Sequence, residues 1–125
     1  MRSDRERLLD ILEAIEKIEQ HKATQKPDFD ADEMLQVWVV HYLQIIGEAA
    51  SRISPELRAQ YADIPWGQMI GTRHVLVHGY FEIDLDIVWT AVDVDLPELK
   101  RQVMNIISQL NQDEGIDSQP PDVPG

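Results

Sequence analysis

The stretch Asp30-Ala31-Asp32-Glu33-Met34-Leu35-Gln36-Val37-Trp38-Val39-Val40-His41-Tyr42-Leu43-Gln44-Ile45-Ile46-Gly47-Glu48-Ala49-Ala50-Ser51 decides the fold. Asp30 or Asp32 offers a side-chain oxygen to the free amides of a helix start, and the helix it opens runs to about Ser51. Its apolar residues, from Leu35 through Ala50, cover nearly the whole circumference. A helix apolar all round is buried on every side, which a chain of 125 residues achieves with difficulty by itself. A second copy covering the outer face solves the problem, so the pattern predicts a homodimer.

Upstream, Leu8, Ile11, Leu12, Ile15 and Ile18 recur at spacings of three and four. That period predicts an amphipathic helix over about residues 4–22, capped by Ser3 or Asp4, with His21 to Asp28 as the following loop. His21 is expected at a solvated helix end, and His41, among apolar neighbours, in the core or an interface. Downstream, Ser54-Pro55 reads as an N-cap with proline at the first helical position, opening a short turn to about Gln60. Pro65 opens a helix to His78, ended by Gly79. Asp84 or Asp86 caps a last helical region whose apolar stripe runs through Val88, Val92, Leu96, Val103 and Leu110. Pro97 should kink or divide it, because proline removes a backbone donor and crowds the preceding turn. No strand alternation and no internal repeat is present. The expectation is an all-α, four- to five-helix bundle over residues 1–110, with 111–125 a disordered acidic tail rich in Gly, Pro and Ser.

The chain has no cysteine, which removes disulfides, thiolate nucleophiles and cysteine-ligated zinc together. The basic residues Arg2, Arg5 and Arg7 lead into an amphipathic helix, not into the apolar run of a signal peptide. Nor is any apolar run near the ~20 residues of a membrane span. A cytoplasmic location and no membrane partner are expected. The net charge is −12, and removing the tail acids Asp113, Glu114, Asp117 and Asp122 still leaves −8. Such a surface opposes broad binding to nucleic acid, which rests on basic patches. Any RNA contact must come from a local basic spot.

One such spot is Thr72-Arg73-His74-Val75-Leu76-Val77-His78-Gly79-Tyr80. On an ideal helix, residues four apart lie ~40° apart around the axis and residues five apart ~140°. His74 and His78 would share a face, while Arg73 and His78 would not. Gly79 lets the helix end and its last turn unwind, so a site here belongs at a helix end, completed across a dimer cleft. Histidine, with an unperturbed pKa near 6.5, can take a proton from a ribose 2′-OH or give one to a leaving 5′-oxygen. Arginine offers a planar fork of donors to phosphate oxygens. Without a metal, the pair suits RNA cleavage by internal transesterification. The bland alternatives are packing roles for Tyr80 and the histidines, or a His74/His78 metal pair. Within the predicted helix no carboxylate at helical spacing completes that pair, so neither metal nor cofactor is expected. Two other readings are a non-catalytic acidic helical dimer that docks a basic protein partner, and a nucleotide-binding protein, for which no glycine-rich phosphate loop is present.

The segment Gly71 to Tyr80 resembles the Arg-polar-x3-His-x-Tyr signature of HEPN-domain ribonucleases, in particular HepT-like toxins. The N-terminal amphipathic helix, the run Tyr42 to Ala50, Ile64-Pro65-Trp66, Trp89 and Leu96-Pro97-Glu98-Leu99 are similar as well, so the likeness covers about residues 4–110. His74 stands where close relatives most often carry asparagine. The resemblance implies a metal-independent endoribonuclease toxin of a type II/VII-like toxin–antitoxin system, cutting tRNA or messenger RNA. It implies Arg73 and His78 as the catalytic pair in a homodimer cleft, with His74 supporting and Glu48 a partner for Arg73. It further implies a nucleotidyltransferase antitoxin that transfers AMP from ATP to Tyr80.

Overall fold

The computed structural model describes residues 3–21, 25–71 and 84–113, and the ordered elements among them are all helical. Helix α1, Asp4–Gln20, starts with a reciprocal cap. Ser3 Oγ accepts from the Glu6 amide at 3.1 Å while the Ser3 amide donates to Glu6 Oε1 at 2.8 Å. Of the two expected caps, Ser3 does this work. The apolar stripe Leu8, Ile11, Ala14, Ile15 and Ile18 is buried, as its period requires. His21 caps the C-terminal end; exposed as expected, its ring also packs edge-on against Trp38.

The predicted loop after α1 contains a short helix, α2, Lys26–Asp30, with Pro27 in its first two positions. Proline's fixed φ suits a helix start, and two outside contacts hold a segment too short to be stable alone. Phe29 is buried against Trp89, ring centroids 5.6 Å apart. Gln36 Nε2 donates to the carbonyls of Phe29 and Asp30, both at 3.0 Å. Lys26 adds a tie across elements, meeting Asp30 at 2.7 Å and Asp86 at 2.5 Å.

Helix α3, Glu33–Ser51, is capped by Asp32 and not Asp30, through the Leu35 amide at 3.0 Å. Val39, Val40, Leu43, Ile46, Ala49 and Ala50 are buried. The opposite face is not: Met34 is 83% and Val37 65% exposed within the single chain. Of the core or interface placement expected for His41, the core is excluded: it is exposed in the single chain, its ring edge-on to Tyr42 at 4.8 Å. Position decides this, since His41 lies one turn beyond Val37 on the open face.

Helix α4, Pro55–Gln60, begins at the Ser54 cap as expected, and Leu57 is its buried anchor. Helix α5 starts at 66 and is helical through 71; the rest of the predicted helix to His78, with Gly79, lies outside the described residues. Trp66 is buried there, its indole Nε1 donating to the Tyr61 carbonyl at 3.1 Å. Helix α6, Leu85–Thr90, is capped by Asp84. It passes through a π segment, Ala91–Asp95, into α7, Leu96–Asp113. The division predicted at Pro97 is therefore found just before it. An α-turn would direct the residue-97 amide at the Asp93 carbonyl, and proline has no such amide and crowds that carbonyl. Wider winding, in which the Leu96 amide donates to Ala91 five residues back, avoids the clash.

Helix α7 reaches Asp113, three residues beyond the expected boundary; 114–125 lie outside the described residues. It packs antiparallel to α1. Arg5 Nε donates to Asn111 Oδ1 at 2.7 Å near one end, and Lys100 Nζ to Glu19 Oε1 at 2.9 Å near the other. Helix α3 is also antiparallel to α1, since Trp38 Nε1 donates to the Lys17 carbonyl at 2.9 Å. The three long helices enclose one core that includes Ile15, Leu43, Ile46, Val103 and Ile106, with the short helices sealing its edges. No helix among the described residues is long and apolar enough to cross a membrane.

Candidate functional site

Arg73, His74, His78 and Tyr80 fall in 72–83, outside the described residues. The structure defines the two anchors between which that segment runs. On the near side, Trp66 and Met69 fasten α5 to the core. On the far side, Asp84 Oδ1 accepts from the Asp86 and Ile87 amides at 2.9 and 3.3 Å, and Val88 enters the core. Both anchors combine apolar burial with satisfied backbone donors, which fixes where the motif leaves and rejoins the bundle.

The remaining expected site residue, Glu48, sits on α3 and is half-exposed. Arg52, one turn later, donates Nε to Glu48 Oε2 at 2.6 Å, a charge-assisted contact. Glu48 lines a groove of about 310 Å³ between α1 and α3, together with Arg7, Asp10, His41 and Gln44. Arg7 Nε is buried there with no hydrogen-bond acceptor among the described residues. The groove thus gathers a guanidinium, an imidazole and two carboxylates beside the aliphatic Ile45 and Ala49. Sequence reading singled out Glu48 but missed Arg7, Asp10 and His41 as its neighbours. The only available signal was their position on the polar faces of two amphipathic helices, which says nothing of which faces meet.

The fold defines the class first: a small all-helical domain in which the segment expected to carry the site lies in sequence between α5 and α6. The family model described as "Ribonuclease HepT-like" matches residues 11–106. The chain belongs to that family. A "Probable ribonuclease HepT" from Thermococcus cleftensis is 39% identical over 100 residues, covering 79% of this chain and 91% of that protein. A "Putative RNase" of Methanocaldococcus jannaschii is 38% identical over 97 residues, 77% of this chain and 89% of that protein. A second protein of M. jannaschii, named "Gamma-glutamylcyclotransferase and putative RNase", is 36% identical over 105 residues. That match takes in 83% of this chain, which spans 47% of the larger relative. No solved structure matches the chain.

Proposed function

We propose that the chain is a metal-independent endoribonuclease toxin, working as a homodimer through Arg73 and His78. The observation that carries this reading is the Arg73-x4-His78-x-Tyr80 spacing inside a chain matched to the ribonuclease family over residues 11–106. In the proposed step, the ribose 2′-oxygen gives up its proton and forms a bond to the adjacent phosphorus. The bond from phosphorus to the 5′-oxygen breaks, and that oxygen takes a proton. His78 moves one of these protons, and the Arg73 guanidinium holds the negative charge that builds on the phosphoryl oxygens. The products carry a 2′,3′-cyclic phosphate and a 5′-hydroxyl. His74 helps to position the RNA.

Two copies facing one another would double the positive groups at a single cleft, which offsets the repulsion from a chain of charge −12. The bare apolar surface at Met34 and Val37 supports a partner copy on α3. Substrate is tRNA or messenger RNA in the cytoplasm. A nucleotidyltransferase antitoxin neutralises the enzyme by joining the AMP of ATP to the Tyr80 oxygen, releasing pyrophosphate. A bulky anion two residues from His78 blocks the cleft and repels the RNA phosphate.

The test is incubation of end-labelled RNA with the full chain in excess EDTA. Wild type is expected to release fragments with cyclic-phosphate and 5′-hydroxyl ends, while Arg73→Ala and His78→Ala remain dimeric and lose cleavage by about 10²-fold or more. Cleavage at wild-type rate in both variants would overturn the assignment. Loss of wild-type activity in EDTA would favour metal binding by His74 and His78.

A further inference from the structure

A second concavity, of about 390 Å³, lies between α3, α5, the π segment and the start of α7. Its floor is formed by the outer surfaces of core residues Leu43, Ile46, Met69 and Leu99. Asp63, Asp95 and Glu98 stand around it, Glu98 held through both oxygens by Arg101, and among the described residues no lysine, arginine or histidine lines it. Val94, 60% exposed, is one of the lining residues and carries the apolar surface outward. The π segment forms one wall of this opening, since Ala91, Val94 and Asp95 all belong to it.

Apolar floor and acidic rim each select an occupant. An aliphatic or aromatic side chain entering the floor removes apolar area from water at roughly 25 cal/mol per Å². The rim carboxylates favour a cation and oppose a polyanion such as RNA. They also oppose a second copy of this chain, since a two-fold contact sets each acidic rim against its own equivalent. We infer that this groove docks a basic amphipathic segment of another protein. An apolar side chain of that segment enters between Leu43 and Leu99, and its lysines or arginines meet Asp63 and Asp95, or take the place of Arg101 at Glu98. The groove bears on control because the elements on either side of the motif line it: Met69 comes from α5, before residue 72, and Ala91 and Val94 come after residue 84. A bound segment bridges these two anchors. The inference goes beyond the ribonuclease reading and stands whether or not Arg73 and His78 cut RNA.

The experiment uses the full chain and two synthetic helical peptides of equal charge, one of leucine and lysine at helical spacing, the other with serine replacing leucine. Fluorescence anisotropy should show the leucine peptide binding at least about tenfold more tightly. The exposed-site variants Val94→Asn and Asp95→Lys/Glu98→Lys, checked for unchanged helicity, should each weaken that peptide, the double reversal by about tenfold. Methyl NMR should place the contact at Met69 and Leu99. Equal affinity for both peptides, unchanged affinity in the double reversal, or methyl shifts confined elsewhere would overturn the inference. So would dimer dissociation in Val94→Asn, which would make the groove a contact between copies, and so would displacement of the peptide by RNA from the same methyl groups. Peptide affinity in Arg73→Ala should equal wild type, which separates this result from any failure of the cleavage assay.

Discussion

Asp4 and Ser54 lie 50 residues apart in sequence and are joined by two hydrogen bonds. Ser54 donates its amide to Asp4 Oδ1 at 2.9 Å and its hydroxyl to Asp4 Oδ2 at 2.6 Å. The same hydroxyl oxygen accepts from the Leu57 amide at 3.2 Å, so one side chain caps α4 and fastens it to the start of α1. Hydrogen bonds to charged groups contribute roughly 1.5–3 kcal/mol and N-caps about 1 kcal/mol.

Ser54→Ala is therefore expected to lower unfolding stability by about 1–2 kcal/mol and Asp4→Ala by a similar amount. Because the two share their bonds, the double variant should lose less than the sum, with a coupling of about 0.5 kcal/mol or more. Urea denaturation of the four proteins checks this. Strict additivity would mean that the two side chains act independently.

The Lys26 clasp gives a pH dependence with a definite sign. Hydrogen bonds to Asp30 and Asp86 push the Lys26 ammonium up from 10.5 to about 12. The folded protein thus holds a proton that the unfolded chain releases first. The clasp stabilises fully below pH 10.5, and its contribution fades as pH rises through about 12. Thermal melts of wild type against Lys26→Met should differ at neutral pH and converge in strong alkali. A gap that widened with alkali would contradict the clasp.

Pro97 carries a third expectation. If the missing amide drives the π winding of Ala91–Asp95, then Pro97→Ala should let a residue-97 amide bond to the Asp93 carbonyl and tighten the turn. Hydrogen exchange at that amide is the measurement. Fast exchange with an unchanged π segment would shift the cause to packing of Val88, Val92 and Leu96.

The exposed face of α3 carries a fourth. Met34→Glu/Val37→Glu removes apolar surface that is already outside the core, so the monomer should stay helical. Sedimentation should show loss of the dimer, and RNA cleavage should fall with it. A dimer that survives with full activity would place the copy–copy contact elsewhere.

Tyr80 supplies the last. Co-expression with a nucleotidyltransferase antitoxin should add the mass of AMP to wild type and none to Tyr80→Phe. An equal mass gain in both proteins would move the modified residue.

What could be read from sequence was the chemistry that local order decides. The three- and four-residue spacing of α1, the Ser54-Pro55 start of α4 and the Asp84 cap each rest on neighbours within one turn, and all three are found. The Arg73–Tyr80 pattern is likewise a reading of short spacing, and it lies outside the described residues. Helix α2 was not legible. Five residues cannot display a 3.6-residue period, and its support comes from Gln36 on the next helix and from Trp89, far along the chain. His41 could be read only as core or interface, because apolar neighbours identify a helix without saying which flank turns outward. The groove joining Arg7 to Glu48 escaped notice because it requires the pairing of two helices, which neither strip of sequence contains.

The pairing of Arg5 with Asn111 sets the opening of the first helix beside the close of the last. Such a bundle tolerates re-threading: a short linker could join the two extremities, and new ones could be cut in the exposed turn at Ala62 and Asp63 between α4 and α5. A permuted protein of this kind would keep the core contacts while bringing α7 out ahead of α1 and α3 during synthesis.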